Sequence, residues 1–112
     1  MYELVSLTFP FANDATKGKP RPGFVISPIF GSHKQVIVAY VTTRLDEMLD
    51  TDIVLDPAQS YFSSTGLAQK SLIKLHRLGT FQPAALKEGQ GFLPNEIIKE
   101  LKKKLMKVFQ LK

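Results

Sequence analysis

Residues 24–42 read F-V-I-S-P-I-F-G-S-H-K-Q-V-I-V-A-Y-V-T, two apolar runs joined by a short polar turn. The second run, Gln35–Thr42, is the most strand-like stretch of the chain, because β-branched and aromatic side chains suit a pleated, half-buried surface. The first, Phe24–Phe30, is apolar on both faces around Ser27 and Pro28. A proline cannot donate to a ladder, so Pro28 predicts an edge position or a bulge. Gly31-Ser32-His33-Lys34 is short enough to close the two runs into an antiparallel hairpin.

Moving towards the N-terminus, Tyr2–Phe9 alternates imperfectly through Leu4, Val5, Leu7 and Phe9 and reads as a strand ended by Pro10. A polar loop follows and ends in Lys17-Gly18-Lys19-Pro20-Arg21-Pro22. Each proline fixes its own φ and pushes the residue before it towards an extended conformation. The Arg21 guanidinium is therefore carried on a stiff piece of chain at the entrance to the hairpin.

Towards the C-terminus, Thr43–Thr51 is polar and acidic. Asp46, Glu47, Asp50 and Asp52 lack the spacing of a calcium loop and read as solvated. A short strand, Asp52–Leu55, precedes a helical turn or irregular loop at Ala58–Gly66. Ser71–Leu78 is a further strand, with Leu72, Lys74, His76 and Leu78 on one face by simple alternation. Phe81–Gly91, with Pro83 and two glycines, reads as connector. A helix is expected from Pro94 or Asn95 to about Gln110, with Ile97, Ile98, Leu101, Leu105, Val108 and Phe109 as its apolar stripe. Five short strands and one terminal helix predict a mainly β fold, a small SH3-like barrel with a C-terminal α-helix, forming one domain over residues 1–112.

The net charge of +5 invites a nucleic-acid reading, but its distribution tempers it. Residues 94–112 hold six lysines against two glutamates, and the rest of the chain is nearly balanced. Cysteine is absent, which excludes a disulfide frame and thiolate chemistry. No apolar run approaches the ~20 residues of a membrane span. Met1 leads directly into a strand-like segment without a signal-peptide pattern, so a cytoplasmic protein is expected.

In this order of elements the chain resembles the MazF/PemK family of toxin endoribonucleases. The resemblance is carried by E-L-V-S-L-T-F-P-F at Glu3–Phe11, R-P-G-F-V-I-S at Arg21–Ser27, V-I-V-A-Y-V-T-T at Val36–Thr43 and T-G-L-A-Q-K-S-L-I-K-L-H-R-L at Thr65–Leu78. It implies a homodimeric RNase that cuts single-stranded RNA without a metal or other cofactor. It also implies a cognate antitoxin that lays an acidic segment over the RNA site. Arg21 matches the loop arginine and Thr42 the strand-end threonine, both placed by the resemblance at the scissile phosphate. Thr43 stands where the pattern has serine, and Lys74 and His76 where it has arginine and aspartate. Departures are equally specific. Tyr2 replaces a usual glycine, Gly79 stands where many members have arginine, and Leu93 replaces the usual Ser or Thr cap before Pro94.

Cutting RNA without a metal requires the 2′-hydroxyl to lose a proton and attack phosphorus in line, while the departing 5′-oxygen gains one. Charge builds on the phosphorane oxygens between these events, so a fixed cationic donor stabilises the transition state more than the ground state. Arginine suits this because its planar fork donates two parallel hydrogen bonds. The expected catalytic residues are Arg21, Thr42 as a hydroxyl donor to the same phosphate, and His76, whose side-chain type exchanges protons near neutral pH. Expected substrate contacts are Phe11 stacking on a base, and Lys19, Thr43 and Lys74. Competing readings stay open: Thr42 and Thr43 placed by strand propensity alone, Lys74 as a snorkelling side chain and His76 as a half-buried one. At the level of function the rivals are a non-enzymatic gyrase poison of CcdB type, which resembles the same fold, and a nucleic-acid-binding barrel without chemistry.

Overall fold

The computed structural model describes residues 2–8 and 20–111, with residues 88–90 described by backbone alone. Six strands lie in one antiparallel sheet: β1 (Glu3–Leu7), β2 (Arg21–Val25), β3 (Val36–Thr42), β4 (Ile53–Leu55), β5 (Ser71–Phe81) and β6 (Lys87–Phe92). The spatial order is β4-β5-β3-β2-β1-β6. The sheet curls into a half-barrel, and the helix α1 (Asn95–Val108) packs on one face. The mainly β, SH3-like architecture with a C-terminal helix is the one the sequence predicts.

The hairpin forms as expected, but β2 starts earlier than Phe24 and stops at Val25. The reason lies in Ser27 and Pro28. Ile26 N–H donates to the Ile37 carbonyl at 3.0 Å, and the Ile37 N–H donates to Ser27 Oγ at 2.8 Å. A side-chain oxygen thus replaces one rung of the ladder just before the residue that has no N–H to offer. Pairing resumes as a single bridge between Phe30 and Gln35, around the turn at residues 31–34. Gly31 takes a φ of 72°, a conformation open to glycine without steric cost.

Two expectations are corrected. Residues 81–91 are not a connector: after a 3₁₀ turn at Pro83–Ala85, β6 pairs antiparallel with β1 through Glu3–Phe92 and Leu4–Gly91. Its K-E-G-Q-G-F sequence has no period-2 apolar pattern, so tertiary pairing and not local propensity makes it a strand. Phe109, assigned to the helix stripe, is 57% exposed and caps the helix, while Leu101 is fully buried and Ile97, Ile98, Leu105 and Val108 pack beside it.

The sheet separates two apolar clusters. Leu4, Phe24, Ala39, Val41, Ile73 and Leu75 face α1 together with Leu93 and Leu101. Val5, Leu7, Val25, Val36 and Val38 form a smaller cluster on the other face, joined by Tyr40, Phe81 and Leu86. Cross-strand partners keep this parity, Leu4 with Phe24 and Phe24 with Ala39 on the helix side, Val25 with Val38 on the other. Each fully buried aliphatic side chain contributes ~1.5–3 kcal/mol.

Candidate active site at the β2–β3 strand ends

Arg21 opens β2 and Thr42 closes β3. The β2–β3 register pairs Gly23 with Tyr40, Phe24 with Ala39 and Val25 with Val38. Carried two residues further, the same register sets Arg21 opposite Thr42. Alternation places both on the face away from α1, with Val25, Val38 and Tyr40. The two residues therefore lie on one sheet face at the ends of neighbouring strands. Arg21 also pairs with Leu7 of β1, which fixes its backbone on that side. The guanidinium root is half-buried, and its Nε is withdrawn from solvent.

Thr42 Oγ1 accepts the Arg44 N–H at 3.1 Å. This bond uses an oxygen lone pair and leaves the hydroxyl hydrogen available to donate, with no acceptor for it among the described residues. A threonine held this way can offer a proton to an anionic oxygen beside Arg21. Thr43 follows, exposed. Phe11 and Lys19 lie outside the described residues.

The alternation expected for Ser71–Leu78 breaks in the middle. Tyr40 pairs with Lys74, but its neighbour Ala39 pairs with Leu78, so residues 75–77 bulge from the ladder. Leu78 consequently packs with the helix-side cluster and does not share a face with Lys74. Leu75 is fully buried, His76 is exposed, and the Arg77 guanidinium lies 4.8 Å from the centroid of the Tyr40 ring. The bulge therefore delivers His76 to solvent.

Lys74 is buried, with its Nζ 2.7 Å from Asp52 Oδ2 and 2.9 Å from the Glu47 carbonyl. Its ammonium is committed inside the protein and not presented to a ligand. Asp52, read from the sequence as a solvated loop acid, is corrected by the same contact: its side chain has 0% exposure. The only signal available was its place directly before the apolar run Ile53–Leu55. Arg21 and Thr42 are thus brought together, His76 stands apart on the bulge, and Lys74 turns inward. Among the described residues, no group of three or more His, Asp or Glu is placed to hold a metal ion.

A family model described as "PemK-like, MazF-like toxin of type II toxin-antitoxin system" matches residues 2–109. The chain belongs to this toxin family. Members are generally endoribonucleases. No individually curated protein matches the sequence. Among solved structures, the Mycobacterium tuberculosis toxin MazF-mt6 is similar with a TM-score of 0.69 and 20% identity, covering 96% of this chain and 97% of that one. A mycobacterial endoribonuclease in complex with its cognate antitoxin gives a TM-score of 0.70 at 11% identity, with 99% and 94% coverage. The MazE–MazF structure (Form-II) from Deinococcus radiodurans gives 0.67 at 19%, again with 99% and 94% coverage. At these identities the likeness is one of fold, and it extends over the whole MazF-like chain. It also frames the Tyr2 departure. Tyr2 has a φ of 64°, a value that favours glycine, and it keeps that conformation while its N–H donates to the Val25 carbonyl at 2.8 Å and its ring stacks on Phe24 at 6.2 Å.

Proposed function

We propose that this MazF-like toxin is a sequence-specific, metal-independent endoribonuclease that cleaves single-stranded RNA by attack of the 2′-hydroxyl on the adjacent phosphorus. The observation that carries the reading is the opposition of Arg21 and Thr42 on the sheet face away from the helix. A cationic fork on a stiff strand entry and a hydroxyl with a hydrogen to donate, on one sheet face, supply the donors that a phosphodiester in transit needs. Arg21 donates two hydrogen bonds to the phosphorane oxygens, and Thr42 donates a third. The solvent-exposed His76 imidazole takes up the proton of the 2′-hydroxyl and water supplies the one gained by the departing 5′-oxygen, leaving a 2′,3′-cyclic phosphate and a 5′-hydroxyl. Thr43, Phe11 and Lys19 bind the flanking RNA. The protein acts as a cytoplasmic homodimer, and an antitoxin with an acidic segment covers the site. The mycobacterial endoribonuclease–antitoxin complex, which shares the fold, supports that partner.

The test is incubation of the purified chain with RNA in excess chelator, beside Arg21→Ala. The wild type should cut and the variant should lose roughly 10²–10³ in rate, the typical cost of one preorganised donor. Equal activity of the two, or cleavage only when Mg²⁺ is restored, would overturn this site. Intact RNA accompanied by inhibition of gyrase supercoiling would replace it with a non-enzymatic poison.

A further inference from the structure

The loop between β3 and β4 leaves the sheet at Thr42 and returns at Ile53, so its path decides where the end of β3 points. Burial does not hold it, since Leu45 and Met48 are both exposed. Polar contacts from two other elements hold it instead. Lys74 on β5 donates to Asp52 Oδ2 at 2.7 Å and to the Glu47 carbonyl at 2.9 Å. Asp52 Oδ2 also accepts the Leu49 N–H at 2.8 Å, which closes the loop on itself. From α1, Lys104 Nζ donates to the Asp52 carbonyl at 2.7 Å and Lys107 Nζ to Asp50 Oδ2 at 2.6 Å. Lys74 stands opposite Tyr40, two residues before Thr42 on the same face of β3.

We propose that Lys74 and Asp52 are positioning residues for the Arg21–Thr42 site, a buried ionic latch that fixes the 43–52 loop and with it the Arg44 N–H that orients the Thr42 hydroxyl. The inference rests on the endoribonuclease reading and goes beyond it. Contact of Lys74 with RNA would require its ammonium to leave Asp52, stranding a carboxylate with no exposed surface. Acting from inside, the lysine keeps that carboxylate paired and holds the loop by the Glu47 carbonyl. If the loop drifts, the Arg44 donor leaves Thr42 Oγ1, and the hydroxyl turns freely away from the phosphate.

The experiment compares wild type, Lys74→Arg and the double variant Lys74→Met/Asp52→Asn, which removes both charges yet keeps an acceptor for Leu49. Cleavage of a mixed-sequence single-stranded transcript gives kcat and KM, and amide hydrogen exchange reports the loop. The double variant should lose roughly 10²-fold in kcat, the scale of a small misplacement, with KM little changed. Its Leu49 and Arg44 amides should exchange faster, while those of Val38 and Val41 remain protected. Lys74→Arg should recover most of the rate. A folded double variant with unchanged kcat would overturn the latch, as would a raised KM with unchanged loop exchange, the pattern of a direct RNA contact. If the wild type cuts no RNA, the endoribonuclease reading fails by itself. The latch is then judged on exchange alone and falls if the Arg44 and Leu49 amides are unaffected.

Discussion

Replacing Lys74 by methionine keeps the length of the side chain and removes its charge, which makes the stability of the latch measurable by itself. The Asp52 carboxylate would keep one donor, the Leu49 N–H, and lose its direct ionic partner, while the Lys104 ammonium stays on the Asp52 carbonyl. Breaking a buried pair from one side costs about 3–5 kcal/mol, because the remaining charge is stranded in low dielectric. The converse change should cost less. In Asp52→Asn the lysine retains the Glu47 carbonyl, and with 9% of its side chain exposed it lies close enough to the surface to extend its ammonium to water. A loss of about 1–3 kcal/mol is expected there. The double variant strands no charge and should be more stable than Lys74→Met alone. For a domain of this size, 3–5 kcal/mol corresponds to a fall in Tm of roughly 12–20 °C. Urea and thermal melts at one protein concentration provide the assay, and the coupling between the two sites is read from the full cycle. Strict additivity, or a Lys74→Met loss below ~1 kcal/mol, would refute the pairing and require a solvated lysine.

Gly91→Ala should destabilise the fold by about 3 kcal/mol or more, because a Cβ there would lie 2.6 Å from the Thr65 carbonyl carbon and 2.7 Å from its oxygen, backbone atoms that cannot swing aside; a melt within a degree of wild type would contradict it. Ser27→Ala removes the acceptor of the Ile37 N–H and should cost about 1–3 kcal/mol, visible as faster exchange of that amide. Tyr2→Gly sets relief of a left-handed residue, about 1–2 kcal/mol, against loss of the ring packed on Phe24. A half-buried ring gains a comparable amount, so the change should leave Tm within a few degrees, and Tyr2→Ala should be worse than Tyr2→Gly in urea melts. Lys107 holds the Asp50 carboxyl below its ordinary value of 3.8 by hydrogen bond and charge. The folded chain therefore binds that proton less readily than the unfolded chain, and the pair's small contribution is present above pH ~4 and lost as pH falls through the lowered value. Asp50→Asn should flatten that acid limb slightly, and the difference should vanish in high salt.

What the sequence revealed follows from which interactions are local. The hairpin and the helix are written in short-range pattern and backbone constraint and both form, although the first hairpin strand runs over Arg21–Val25 and not over Phe24–Phe30. The β6 strand is not, since its residues carry almost no apolar signal and become a strand only by meeting the free edge of β1. Alternation along Ser71–Leu78 gave the right strand and the wrong partition of faces, because a bulge leaves no mark in hydrophobic period. Asp52 looked like its acidic neighbours, and only the arrival of Lys74 from 22 residues away distinguishes it. Arg21 and Thr42 were singled out by resemblance, and the β2–β3 register, carried two residues on, puts them on one face of the sheet.

The bulge at residues 75–77 resolves a conflict inside β5. An 11-residue strand of strict alternation would keep Lys74 and Leu78 on one face, forcing either the ammonium or a leucine into the wrong environment. Shifting register between Lys74 and Leu78 lets the first part of the strand anchor the loop beside Thr42, while the second returns Leu78 to the helix-side core and Phe81 to the opposite cluster. The residues released by the shift are those with chemistry to offer, His76 in solvent and Arg77 over Tyr40. Deleting one residue from this segment should therefore damage catalysis and stability together, whereas His76→Ala, on an exposed side chain, should affect catalysis alone.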